Sequence, residues 1–315
     1  MSWFAQAPAN IALIKYMGKQ DEGKNIPDNP SLSYTLNTLL TSVQLERHPG
    51  KEDRWEPLQL PGTMSLSLSP SAQQRYLKHL AFLKNHFQYE GAFLVRSSNN
   101  FPHGSGLASS ASSFAALTLC AVKALSELSG TPLPTIEEQA RLSRVGSGSS
   151  CRSFFSPWAI WEGETVKGID LPYRELIHQV VIVSHAEKQV PSSQAHRLIK
   201  SSPFYPNRSQ RAQDNLNALL NALHAKDWTS AYEICWREFH DMHRLFSTCA
   251  QPFTYMTDEG NALLQKLQDL WQHKGDGPLV TMDAGPNIHL LYRVDQTDLA
   301  RQFEQDHLAG QYDVL

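Results

Sequence analysis

The sequence predicts two α+β domains with the chemistry at their junction. Three observations lead there. The 315 residues amount to about two domains at roughly 150 residues each. The first half alternates short β-like runs with helical patterns, and the second runs from a strand through three helical patterns back to short strands.

In order, residues 11–15 and 39–47 read as strands, the second from the alternation in Ser42-Val43-Gln44-Leu45-Glu46. Ser69-Pro70 pairs an N-cap with proline at the first helical position, and Tyr76, Leu77, Leu80, Leu83 and Phe87 then fall on one helical stripe. Residues 92–96 make a short strand. After a Gly/Ser-rich loop, Phe114, Leu117, Ala121, Leu125 and Leu128 mark a helix that Gly130 ends. Thr135 with Glu138 forms a capping box for a third helix that runs to Val145 and into a glycine. The apolar run at 180–184 is a strand that opens the second half. Helical patterns follow at 209–224, 228–247 and 257–273, with Asp227 and Thr257 as N-caps. Short strands at 279–282 and 288–292 flank Asp283-Ala284-Gly285-Pro286-Asn287; a helix fits 296–307, and 312–315 is a closing strand.

Composition narrows the function. With 28 Lys and Arg against 31 Asp and Glu, the formal net charge is −3, which excludes a chain whose main task is coating nucleic acid or an anionic membrane. Cys120, Cys151, Cys235 and Cys249 contain no CxxC pair and have no His partner at zinc-finger spacing, so they read as reduced thiols. The longest apolar stretch, 114–125, contains Lys123 and falls short of the ~20 residues that span a bilayer. The N-terminus has no basic residue before its apolar positions and carries Pro8 and Asn10 within them, unlike a signal peptide. The expected setting is cytoplasmic.

Four segments carry chemistry. Pro102-His103-Gly104-Ser105-Gly106-Leu107-Ala108-Ser109-Ser110-Ala111 lies directly before a helix, where small residues let backbone N–H groups approach an anion. It is not a GxxxxGK[ST] loop, and a plain Gly/Ser helix cap has the same composition. Arg144-Val145-Gly146-Ser147-Gly148-Ser149-Ser150-Cys151-Arg152 supplies hydroxyls and guanidinium groups suited to anions, although a loop between two solvated arginines would read alike. Cys151 is read as a packed thiol, because nothing nearby would activate it. The last two are the segment around Lys15, from Ala7 to Lys19, and Asp283-Ala284-Gly285-Pro286-Asn287. A lysine and an aspartate at strand ends are each costly to bury alone. If they meet, Lys15 holds Asp283 ionised; if not, they are an edge lysine and a turn aspartate.

In this order the segments resemble the GHMP kinase superfamily and, within it, the mevalonate diphosphate decarboxylases. That family opens with APxNIAxxKYWGK, here APANIALIKYMGK. It continues with NFPxxxGLASSA at 100–111 and GSGSxCRS at 146–153, and closes with DAGPN at 283–287. A weaker match is Val190-Pro191-Ser192-Ser193 against its VSS run. The resemblance implies the GHMP kinase fold, an α+β architecture. A ribosomal S5 domain 2-like domain over residues 1–178 would bind ATP and phosphates, and a ferredoxin-like domain would span 179–315. It also implies a reaction: ATP phosphorylates the C3 hydroxyl of mevalonate 5-diphosphate, and loss of phosphate and CO2 leaves isopentenyl diphosphate.

By the same resemblance, Asp283 accepts or orients the hydroxyl proton, Lys15 is its electrostatic partner and Arg152 clamps the substrate carboxylate. Asn10, Tyr16, Lys19, Arg75, Ser147, Ser149 and Ser192 bind substrate, with Tyr16, Lys19, Arg75 and Ser192 at the diphosphate. Gly104, Ser105, Gly106, Leu107, Ala108, Ser109 and Ser110 hold the phosphates of ATP with Mg²⁺, and no dedicated protein metal site is expected. A homodimer acting on small molecules, with no nucleic-acid or membrane partner, is the expected assembly. The sequence departs from the family at Met17, where tryptophan is usual, at Pro30 and at Pro191. Those changes touch the diphosphate end and keep open a mevalonate 5-phosphate decarboxylase, a GHMP kinase that stops at phosphorylation, or a non-catalytic nucleotide-binding protein. Among 13 histidines, His103, His240 and His243 are read as solvated or core-capping.

Overall fold

The computed structural model describes residues 1–63, 67–102, 109–186 and 188–315. The chain opens with β1 (Ser2–Ile14), a small ribbon of β2 (Lys19–Asp21) and β3 (Ile26–Pro27), then β4 (Ser31–His48) and β5 (Arg54–Pro57). Next come α1 (Pro70–His86), β6 (Ala92–Asn99), α2 (Ser109–Ser129) and α3 (Ile136–Gly146), followed by a 3₁₀ segment (Gly148–Phe154), β7 (Trp158–Glu162) and β8 (Thr165–Ile169). The second half has β9 (Leu176–Ile182), α4 (Ser192–Leu198), α5 (Arg208–His224), α6 (Trp228–Thr248) and α7 (Asp258–Lys274). It ends with β10 (Leu279–Met282), β11 (Ile288–Arg293), α8 (Thr297–Phe303) with a π turn (Glu304–Leu308), and β12 (Asp313–Val314).

Two sheets organise these elements. In the first, β1 pairs antiparallel with β4 along its length, while β4 pairs with β7 through Ser31–Tyr34 and with β6 through Thr41–His48. The second sheet has the order β10-β11-β9-β12. Helices α1 and α2 cover one part of the first sheet: Tyr76, Leu80, Phe114, Leu117 and Leu125 pack on Trp3, Ala7, Val43 and Val95. The 21-residue α2 is apolar enough to cross a membrane by length and composition, yet it is mostly buried against the sheet as a core helix. A second, larger core runs without a break from Ala9, Ile11, Leu13 and Trp158 into Leu216, Phe239, Leu263, Val180 and Leu290 of the second half.

The local signals read from the sequence are present. Ser69 caps α1, Thr135 and Glu138 form the reciprocal capping box, and Asp227 and Thr257 accept hydrogen bonds from the first turns of α6 and α7. The strand expected at 11–15 begins far earlier, at Ser2, and that expected at 39–47 begins at Ser31. The added stretch of β4, residues 31–36, is buried on both faces and so shows no polar alternation, whereas the added stretch of β1 alternates between buried Trp3 and Ala7 and exposed Ser2, Phe4 and Gln6, the apolar Phe4 masking the pattern. The ribbon, β5, β7, β8 and α4 were not read from the sequence, and Gly148–Phe154 is a 3₁₀ segment rather than an open turn.

Where β1 ends, the backbone of Lys15 has left the sheet and its polar groups need other partners. Glu238, fully buried on α6, accepts the Lys15 N–H at 3.0 Å, while Arg208 and Asn29 donate to the Lys15 carbonyl at 3.1 and 2.8 Å. Arg208 also pairs with Glu238 and with Asp241 at 3.0 Å, and Asn215 donates to Glu238 at 2.6 Å. This buried network welds α5 and α6 to the end of β1. Breaking a buried pair strands a charge, so Glu238→Gln is expected to cost about 3–5 kcal/mol in urea denaturation. A loss under 1 kcal/mol would show that the network does not hold the junction.

Candidate active site

One pocket of about 450 Å³ opens at the junction of the two halves. Its wall collects all ten residues expected to bind substrate or act on it: Asn10, Lys15, Tyr16, Lys19, Arg75, Ser147, Ser149, Arg152, Ser192 and Asp283. Ser109 and Ser110 line it as well, while Gly104, Ser105, Gly106, Leu107 and Ala108 lie outside the described residues, as does His103. The period of β1 explains part of this convergence. Asn10 and Ala12 face the pocket, and the alternate residues Ala9, Ile11 and Leu13 go to the core.

Lys15 and Asp283 do meet. Their Nζ and Oδ1 atoms lie 2.7 Å apart, with the lysine 1% exposed and the aspartate side chain 29% exposed. Burial alone would raise the Asp283 carboxyl, but Lys15, with Arg152 behind it, outweighs burial and holds it below the ordinary carboxylate range. Burial acts the other way on Lys15 and lowers it despite Asp283. Asp283 is the sole carboxylate among the described residues that line the pocket. Its main chain is held too: the carbonyl accepts from Gly285 N–H at 2.8 Å and pairs with His243 Nε2 at 3.1 Å. Burial pushes His243 down to about 3, so the neutral ring donates its Nε2–H there. His243 thus steadies Asp283 rather than merely capping a core. His240 is half-buried, with Nδ1 against the Trp236 carbonyl.

Arg152 is buried and oriented by two fixed partners. Its Nε donates to Asn10 Oδ1 at 3.1 Å and its Nη1 to Ser31 Oγ at 2.9 Å. The Asn10 amide in turn donates to Ser153 Oγ at 2.8 Å and the Ser149 carbonyl at 3.2 Å. Asn10 therefore aims Arg152 as well as lining the pocket. Arg144, the other arginine of the GSGSS segment, does not line the pocket; it donates to the Glu164 carbonyl at 3.0 Å. Cys151 is a packed thiol, pushed up to about 12 by burial, and all four cysteines are free and buried.

A second group of cations lies apart from the first. The charges bearing on Lys15 are Asp283, Arg152 and Glu238, whereas those bearing on Lys19 are Arg75, Glu22, Arg197 and Lys200. Lys19 Nζ donates to Asn25 Oδ1 at 2.6 Å, Lys200 to the Lys19 carbonyl at 2.9 Å, and Arg75 to the Gly146 carbonyl at 2.8 Å. Burial, then the neighbouring cations, lower Lys19, so this end gains from a bound anion. Tyr16 sits between Trp161 and His196, each ring 4.6 Å from it, and its buried hydroxyl has no partner.

The departures from the family pattern are accommodated. Met17 packs with Met242, Ala195 and Ala284, Pro191 directly precedes α4, and Pro30 leaves Ser31 in place for Arg152. Lys188 and His196 also line the pocket and were not found by sequence reasoning. His196 had a readable signal, since it stands four residues after Ser192 on one helix. Lys188 is an isolated lysine, and Glu238 and Arg208 are linked to Lys15 only through the fold. Among the described residues, no group of three or more His, Cys, Asp or Glu could hold a metal ion.

Comparison with known proteins finds relatives for both halves. Residues 7–170 match the diphosphomevalonate decarboxylase-like N-terminal domain, and residues 178–309 match the mevalonate 5-diphosphate decarboxylase C-terminal domain. The crystal structure of a mevalonate diphosphate decarboxylase from Legionella pneumophila is 65% identical with a TM-score of 0.95, covering 100% of both chains. The structure of MDDEF in complex with MVAPP, AMPPCP and magnesium is 28% identical with a TM-score of 0.86, covering 100% of this chain and 96% of that one. The diphosphomevalonate decarboxylase of Aspergillus fumigatus is 31% identical over 91% of this chain and 75% of its own length. With both halves matched, over residues 7–170 and 178–309, the chain belongs to the diphosphomevalonate decarboxylase family.

Proposed function

We propose that the chain catalyses the ATP-dependent decarboxylation of mevalonate 5-diphosphate to isopentenyl diphosphate, ADP, phosphate and CO2. The observation that carries this reading is the ionised Asp283, fixed by Lys15 and the sole carboxylate among the described residues of a pocket that also presents Lys19, Arg75, Arg152, Lys188 and several serine hydroxyls. Asp283 takes or orients the proton of the C3 hydroxyl as that oxygen attacks the terminal phosphorus of ATP. Arg152, aimed by Asn10 and Ser31, faces the substrate carboxylate. When the C3–O bond breaks, phosphate leaves. The C1–C2 bonding pair then becomes the new double bond, and C1 leaves as CO2.

Lys19 and Arg75, with Tyr16 and Ser192, serve the diphosphate end, and Ser147 and Ser149 line the space between the two ends. Ser147 Oγ approaches Ser110 Oγ at 3.5 Å, which ties the substrate side to the start of α2, where Ser109 and Ser110 would hold the nucleotide phosphates. The residues fit Mg²⁺ as a companion of those phosphates, since the pocket offers serine hydroxyls and the Asp283 carboxylate as oxygen ligands. Bound with ATP, the ion neutralises phosphate charge. A cytoplasmic homodimer, with residues 1–178 on the nucleotide side and 179–315 supplying Asp283, is the assembly we propose.

The test is a coupled ADP-release assay on mevalonate 5-diphosphate and the 5-phosphate, with phosphate and CO2 measured alongside. One CO2 per ADP is expected with the diphosphate. ADP with a retained phosphorylated product would instead indicate a kinase, and preference for the 5-phosphate would move the substrate. Asp283→Asn should reduce kcat at least ~1000-fold while ATP binding persists; unimpaired turnover would remove Asp283 from the chemistry.

The pH profile follows from the pair. Asp283 is held below its ordinary value of about 3.9, so it stays ionised down to about pH 5 and produces no acid limb above that. At high pH Lys15 loses its proton below the ordinary lysine value and leaves Asp283 as an unpaired carboxylate, and the alkaline limb of kcat/KM moves down accordingly. An acid limb above pH 5 that disappears in Asp283→Asn would contradict this assignment.

A further inference from the structure

His196 lines the pocket beside Tyr16, yet no part of the scheme above uses it. Its Nδ1 accepts the Gly18 N–H at 2.9 Å. That contact is fixed from the other side: Gly18 has φ +104°, and a Cβ there would come within 2.7 Å of the Tyr205 hydroxyl and 2.9 Å of Asp28. With Nδ1 occupied as an acceptor, the ring proton must sit on Nε2. Burial, with Lys19 and Lys200 nearby, pushes the imidazole down to about 3 and keeps it neutral. The neighbouring Tyr16 ring, tilted 45° to the imidazole, has an un-ionised, buried hydroxyl with no partner among the described residues, and it is pressed on by Gly148, where a Cβ would lie 2.7 Å away. Two neutral donors thus stand side by side at the cationic end of the pocket. A phosphate ester offers more acceptor oxygens than Lys19 and Arg75 can saturate, and a neutral donor adds a hydrogen bond without adding repulsion among the cations.

We propose that His196, as its Nε2–H tautomer, donates a hydrogen bond to the phosphate-bearing end of the bound substrate, next to Tyr16. The proposal rests on the function given above for the identity of that substrate, but not for the presence of a phosphate donor. Two variants separate its two nitrogens. His196→Asn can keep an acceptor for Gly18 while removing the outer donor, and His196→Gln can restore a donor near the Nε2 position.

His196→Asn should raise KM for mevalonate 5-diphosphate about tenfold or more with kcat within about threefold, and His196→Gln should stay within about threefold in KM. Unchanged KM in His196→Asn, or equal losses in both variants, would overturn the proposal. Nitrogen-15 NMR of the wild-type imidazoles, with inorganic diphosphate as probe, does not depend on either variant folding. An Nε2–H tautomer whose Nε2 signal shifts with diphosphate is expected, and an Nδ1–H tautomer or an unmoved signal refutes it. Wild-type enzyme that does not turn over mevalonate 5-diphosphate, yet shows the diphosphate shift, would refute the substrate and leave His196 as a phosphate donor.

Discussion

A lysine ammonium with 1% exposure is the constraint around which this molecule is arranged. An uncompensated charge at that depth costs several kcal/mol, so Lys15 can be buried only where acidic groups come to it. Asp283 arrives from the loop after β10 and meets the side chain; Glu238 arrives from α6 and takes the backbone N–H. Both belong to the second half, whereas Lys15 belongs to the first. The active centre and the junction between the halves are therefore one structure, and the unbroken apolar core from Ile11 to Phe239 and Leu290 places them in register.

From that anchor the pocket divides into two electrical environments. Around Lys15 the lysine is matched by the ionised Asp283, and Arg152 is held by neutral amide and hydroxyl partners that leave its charge for an anion. Around Lys19 they are unbalanced toward the positive, and the neighbouring donors Tyr16 and His196 are neutral. Chemistry on a hydroxyl and a carboxylate suits the first, and binding of a polyanion suits the second. The net charge of −3 for the whole chain conceals this local excess, because composition averages a few convergent cations over the entire surface.

Much of the fold was legible because the signals were local. Ser69, Thr135, Asp227 and Thr257 announce helix starts through hydrogen bonds reaching only two or three residues along the chain. The long strands were shortened in reading because residues 31–36 are buried on both faces and lack polar alternation, and because the exposed face at the start of Ser2–Ile14 carries the apolar Phe4 between Ser2 and Gln6. β7 and β8 were overlooked because Trp158–Glu162 is buried at four of its five residues and shows no polar alternation, and Thr165–Ile169 is interrupted by Gly168. Within the site, Lys15, Arg152, Asp283 and the serines stood out because each sits in a compact motif. Glu238, Arg208, His243 and Lys188 have no motif; they matter through contacts made across the fold.

By itself the sequence determined which residue types could perform the chemistry, the helix boundaries set by capping side chains, and the family through its four ordered segments. Those properties depend on neighbours along the chain. Tertiary structure alone decided that Asn10 aims Arg152, that His243 and Glu238 support the catalytic pair from behind, and that Asp283 is ionised while His196 is neutral. Hydrogen-bond partners and protonation follow from burial and through-space charge, and neither exists until residues hundreds of positions apart share one dry pocket.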